Sequence, residues 1–254
     1  MTDMFRAHWQ LAGHTGQLSS PELRGTIDLS KPGAGLTGLH VLGHDWTPQR
    51  ILGVAIPRLE PDQADVLVDR YQRGDDLVAT YAQTQDRPVR VQLYWRAIAT
   101  ALDAPQAPAI DLIVSVQTSL LKANPSLTTA TGLTAGHVLR LADPDRIRFD
   151  PLVLPAASAW LLARDGRPAC FLYRPRGASL SYVEMVHPAD FQASEWTADA
   201  DRLNCANRLF SGDLEKGVIL RARVRGAFVP RSGDEELAAR AYRAFAVCEP
   251  PLTT

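Results

Sequence analysis

Hydrophobic and polar positions alternate with a period of two along most of this chain, the pattern of half-buried strands. The longest run covers 208–225 (RLFSGDLEKGVILRARVR). Glu215, Gly217, Ile219, Arg221, Arg223 and Arg225 share one parity there, and Leu214, Val218, Leu220, Ala222 and Val224 share the other. The spacing predicts one long strand with a charged face and a core face. Two further runs, 89–98 (VRVQLYWRAI) and 111–121 (DLIVSVQTSLL), flank an Ala/Pro loop and predict a hairpin. Its register puts Gln92, Tyr94 and Arg96 on one face with Ser115 and Gln117, and Val114 and Val116 on the other. Residues 64–81 predict another hairpin, turning at Arg73–Asp76. So do 168–173 and 179–186, which flank RPRGA.

Shorter β-like runs cover 5–11, 24–29, 38–42 and 51–56, with KPGAG at 31–35 as a breaker. Residues 137–141 and 149–154 predict two more short strands, whereas 124–136 and 191–207 are polar and read as loops. The period then changes. In SGDEELAARAYRAFA, Leu237, Ala238, Ala241, Tyr242 and Phe245 form a helical stripe. Ser232 or Asp234 is the expected N-cap, and acidic residues fill the first turn. These elements predict a mostly β fold: a large antiparallel two-layer β-sandwich with a C-terminal helix, one domain over 1–254.

Composition supports a packed core and narrows the partners. Hydrophobic residues make up 46% of the 254, and the formal net charge is -1. That balance gives no global attraction to nucleic acid or to an anionic membrane surface. No apolar run has the length of a membrane span or a signal peptide, so a cytoplasmic location is expected. Cys170, Cys205 and Cys248 are widely spaced and odd in number, which predicts neither a disulfide framework nor a zinc site. No histidine set has metal-ligand spacing, and no cofactor motif is present. Lysine supplies only three of the 27 basic residues, at 31, 122 and 216. GC-rich coding favours arginine in the same way, so an arginine cluster is not by itself evidence of a site. Nothing in the sequence sets an oligomeric state.

The chain carries no GxSxG, P-loop or HExxH signature. His187 ends a strand between Glu184 and Asp190, and an imidazole beside a carboxylate suits acid/base work near neutral pH. Strand parity puts Glu184 and His187 on opposite faces, so a structural histidine and a catalytic one both fit. Glu215 shares a face with Arg221 and Arg223, which fits either an ion pair or a functional carboxylate. Tyr94, Trp95, Tyr173, Tyr182 and Trp196 suit either stacking on sugar rings or core packing.

Many strands, polar sheet faces, a late glutamate on a long strand and a histidine on a preceding one together resemble the galactose-mutarotase-like supersandwich. The resemblance runs over roughly 87–230. The early Asn-Arg and His-x-Tyr-Phe-Asn segments typical of aldose epimerases are absent. The resemblance implies a sugar or other small polar ligand bound on a broad concave sheet and an aldose-epimerase-like isomerase, with His187 as acid and Glu215 as base. Arg96, Gln117 and Arg221 would bind hydroxyls, with Tyr94 and Arg223 completing the substrate face. The alternative is a non-catalytic carbohydrate-binding or interaction module on the same sheet.

Overall fold

The computed structural model describes residues 8–46, 49–57, 59, 66–98, 108–134, 136–153, 159–199 and 202–249. Two large antiparallel sheets face each other. The ten-stranded sheet runs β1 (His8–Ala12), β2 (Thr15–Ser19), β3 (Leu23–Asp28), β4 (Leu36–Val41), β6 (Arg50–Ala55), β12 (Thr128–Thr134), β19 (Arg202–Arg208), β18 (Ala193–Asp199), β15 (Trp160–Ala163), with β5 (His44–Asp45) added to β4. The nine-stranded sheet runs β14 (Arg148–Pro151), β13 (His137–Asp143), β16 (Cys170–Arg174), β17 (Leu180–Val186), β21 (Ile219–Pro230), β10 (Ala109–Gln117), β9 (Arg90–Ile98), β8 (Asp76–Tyr81), β7 (Leu67–Arg73). A small ribbon pairs β11 (Lys122–Ala123) with β20 (Leu214–Glu215).

The main core fills the space between the sheets. Trp95, Leu112, Val114, Val116, Phe171 and Val224 enter it from one side, and Trp9, Ile27, Leu36 and Trp196 from the other. Strand parity explains the selection, since alternate residues of each strand share this inner face. The hairpin register is the expected one. Ser115 stands opposite Gln92 and Arg221, and Ile113 opposite Tyr94 and Arg223. Asp111 stands opposite Arg96 and Arg225, while Val114 and Val116 are buried on the far face.

Helix α1 (Asp234–Ala246) lies on the outer face of the nine-stranded sheet, packing Ala238, Tyr242 and Phe245 against Cys170, Leu172, Val183, Met185 and Val229. Neither Ser232 nor Asp234 caps it; Gly233 holds the cap position at φ 75°. Asp234 is instead drawn into the sheet. Its carboxylate accepts both prongs of the Arg174 guanidinium at 2.9 and 2.6 Å and the Ser181 hydroxyl at 2.6 Å. The first helical residue is thus a buried anchor.

Three expectations from the pattern are corrected. The run 208–225 is not one strand. It breaks at Gly217 (φ 86°), so Glu215 belongs to the ribbon and β21 begins at Ile219. A positive φ there is the glycine's contribution, because other residues rarely adopt it. Within 124–136 and 191–207, expected as loops, lie β12, β18 and nearly all of β19. Their inward residues include Thr129, Ser194 and Asn207, which bond to one another, and Thr131, which donates to Glu184, so polar side chains hide the apolar half of the alternation. No helix among the described residues is long and apolar enough to cross a membrane.

Candidate functional site

The polar face expected to hold a ligand exists, but its charges are largely taken. Arg96 forks onto Asp76 at 2.7 and 2.9 Å, and Arg225 onto Asp111 at 2.6 and 2.9 Å. The Asp76 hydrogen bond raises the Arg96 pKa above its ordinary value. Arg223 donates to the carbonyls of Cys248 and Glu249 at 2.8 and 3.1 Å and lies 3.6 Å from Asp190. The Tyr94 hydroxyl donates to Gln92, whose amide donates to Thr80 at 3.1 Å. Arg221 is exposed and Gln117 half-buried.

His187 and Glu215 are not brought into one cleft. His187 is buried beneath the end of α1, its ring edge against Phe245. Its Nδ1 accepts the Ala189 N–H at 3.3 Å, so Nε2 carries the proton and donates to the Ala246 carbonyl at 3.1 Å. Burial, then the neighbouring Arg223, hold its pKa below the usual imidazole value. Glu215 is exposed on the ribbon, opposite Lys122. His187 hydrogen-bonds the backbone of Arg223. From Arg223 back to Ile219 is roughly 13 Å of extended chain at about 3.3 Å per residue, and a turn at Gly217 then separates Ile219 from Glu215.

Parity sends Glu184 the other way, into the core between the sheets, where it is fully buried. It accepts hydrogen bonds from the Thr131 hydroxyl, the Tyr182 hydroxyl (3.0 Å) and the Asn207 amide (2.8 Å). Burial outweighs these donors and raises its pKa. The network ties β17 of one sheet to β12 and β19 of the other. It is a structural joint that ligand cannot reach.

The outer face of the ten-stranded sheet is built differently. Arg50 of β6, Gly132 of β12, Asn204 of β19 and Thr197 of β18 stand opposite one another in a single row across four strands. Arg202 lies on the same face, opposite Thr134. A methyl group on Gly132 would lie 2.8 Å from Asn204 Oδ1, 3.0 Å from Arg50 Nε and 3.2 Å from Arg202 Nη2. Three polar tips therefore converge above a residue with no side chain. Farther along β6, Gly53 stands opposite Ala130 and Ala55 opposite Thr128, and Gly53 is covered by the backbone of Gly33 and Gly35. Asn204 donates weakly to Thr197 at 3.4 Å. Gln49 braces the row by accepting the Thr134 N–H at 2.6 Å.

Arg50 Nε is buried and has no hydrogen-bond partner. Burial, then the charge of Arg202, lower the Arg50 pKa. Among the described residues no carboxylate pairs with either guanidinium. Asp199, which faces Arg202 in register, is exposed and makes no ion pair with it. The turn Pro32–Ala34 folds over the same sheet farther along β6. Its Gly33 carbonyl lies 2.7 Å from where a Gly53 side chain would begin. A cavity of about 340 Å³ lies between that turn and Ala55, Ile56 and Leu59.

No protein-family model matches the sequence. No curated protein matches it either. Solved structures match the fold. A putative aldose 1-epimerase from Escherichia coli K12 is 9% identical with a TM-score of 0.53, over 89% of this chain and 99% of that one. A GalM/aldose epimerase homologue from C. elegans is 9% identical with a TM-score of 0.51 over the same shares. The chain thus has the aldose-epimerase type of β-sandwich, in agreement with the galactose-mutarotase-like pattern of its sequence.

Proposed function

We propose that this protein binds a carbohydrate on the outer face of its ten-stranded sheet, over Gly132. The observation that carries the reading is the convergence of Arg50, Arg202 and Asn204 on that glycine, with Arg50 Nε buried and unbonded. A buried donor without a partner costs roughly 1–3 kcal/mol. Ring or hydroxyl oxygens of a sugar on this face would accept from the guanidinium of exposed Arg202 and from the terminal nitrogens of half-buried Arg50, which flank the buried Nε. Asn204 offers an acceptor as well as a donor, which suits hydroxyls that both give and take a proton. The fold likeness to aldose epimerase homologues supports a sugar as the ligand.

The reading is one of binding. Proton transfer at an anomeric centre needs an acid and a base within reach of the same sugar, and His187 and Glu215 sit on separate elements. An epimerase reading is favoured by the breadth of the fold match, and polarimetry separates the two. Calorimetric titration of a panel of monosaccharides is expected to give binding that Arg50→Gln abolishes without lowering the thermal midpoint. Freshly dissolved aldoses are expected to mutarotate at their uncatalysed rate. Sugar binding that survives Arg50→Gln overturns the location, and accelerated mutarotation establishes the enzyme.

A further inference from the structure

We propose that the ligand held over Gly132 is anionic, a sugar carrying a carboxylate or phosphate group that bridges Arg50 and Arg202. The inference rests on the carbohydrate reading above and adds the charge of the ligand. Elsewhere the fold places guanidinium against carboxylate: Arg140 on Asp165, Arg174 on Asp234, Arg225 on Asp111. At Gly132 two guanidinium groups face each other across about a glycine's width, with a neutral amide as third member. Like charges so placed repel, and partial burial strengthens the repulsion. An oxyanion between them turns the repulsion into two charge-assisted hydrogen bonds, which are roughly twice as strong as neutral ones. The planar guanidinium fork matches carboxylate and phosphate geometry.

Geometry sets the approach. With no Cβ at Gly132, the tips of Asn204, Arg50 and Arg202 gather over bare backbone, and an oxyanion would bridge the two guanidinium groups from their solvent side. Arg87 is the molecule's contrasting case: both its terminal nitrogens are also unbonded, but the side chain is enclosed at 2% exposure, where no ligand can enter. Arg202 is exposed and Arg50 half-buried, so their site is open to solvent.

The test is calorimetric titration of the full chain with glucose, glucuronate, glucose 6-phosphate and inorganic phosphate at low and high salt. At low salt the proposal expects at least one charged sugar to bind about tenfold or more tightly than glucose, an advantage that shrinks as salt screens the charges. The glucuronate and glucose 6-phosphate arms identify the oxyanion. Arg202→Gln is expected to weaken the charged sugar more than glucose, so that the ratio of affinities collapses towards one. Glucose binding as tightly as both charged sugars overturns the anionic ligand and leaves the carbohydrate reading standing. Inorganic phosphate binding as tightly as glucose 6-phosphate, with glucose and glucuronate silent, overturns the sugar in both readings. No binding by any probe overturns both as well. Arg202 is exposed, and an unchanged thermal midpoint for Arg202→Gln verifies folding in each case.

Discussion

The two outer faces of this sandwich use the same residue types to opposite ends. On the nine-stranded sheet, arginine is matched to aspartate strand by strand: Arg96 with Asp76, Arg225 with Asp111, Arg223 with Asp190. Helix α1 then closes over part of that face, and the Arg225 guanidinium lies 4.8 Å from the Phe245 ring. On the ten-stranded sheet, Arg50 and Arg202 meet over Gly132, and neither makes an ion pair with a carboxylate among the described residues. A paired charge holds the fold, whereas an unpaired charge above a bare backbone is available to a ligand. Counting arginines on a strand does not separate the two; finding their partners does.

The largest effect should come from breaking a pair on the first face. Arg225→Ala leaves Asp111 half-buried and uncompensated, and a loss of about 3–5 kcal/mol is expected for a buried pair broken on one side. Equilibrium urea denaturation measures it, and a loss below about 1 kcal/mol would mean that the face is not held by its ion pairs. Next is the joint between the sheets. Glu184→Ala strands the donors of Thr131, Tyr182 and Asn207, an expected cost of about 1–3 kcal/mol.

Glu184 also sets a pH dependence. Its folded pKa is raised by burial, so the native state holds this proton more tightly than the unfolded chain does. Its contribution to stability is full below the unfolded carboxyl value and falls as pH rises from there through the folded pKa. Denaturation midpoints across that range should decline more steeply for wild type than for Glu184→Gln, which has no proton to lose. Parallel curves would show that Glu184 titrates normally. No loss of stability is expected from Arg50→Gln. Removing a buried unbonded donor and one of two repelling charges should leave stability unchanged or raise it by up to about 1–3 kcal/mol, and a loss of several kcal/mol would mark Arg50 as a structural residue.

Much of this architecture was legible in the sequence. The hairpins around 89–121 and 168–186 and the terminal helix announce themselves because one face of each is apolar, and the register of Gln92, Tyr94 and Arg96 with Ser115 and Gln117 follows from parity alone. Strands β12, β18 and β19 were not legible. Their buried positions carry Thr129, Thr131, Ser194 and Asn207, whose partners lie far away in the chain. The break at Gly217 was hidden because the alternation of parity runs on through a turn that moves Glu215 away from Arg221. The candidate site was lost with those strands. Arg50, Gly132 and Asn204 are far apart in sequence, and only the cross-strand row brings them together. Whether an arginine is paired is a property of the folded molecule.

The claim that the ten-stranded face holds the ligand is tested most directly by measuring sugar affinity for two variants side by side, Arg50→Gln and Arg221→Gln, against wild type. Arg221 is the exposed arginine of the other face, and each variant removes one positive charge. Calorimetric titration with whichever sugar wild type binds most tightly should show Arg50→Gln losing binding and Arg221→Gln keeping wild-type affinity. Loss in Arg221→Gln with wild-type affinity in Arg50→Gln would place the ligand on the nine-stranded face and contradict the account.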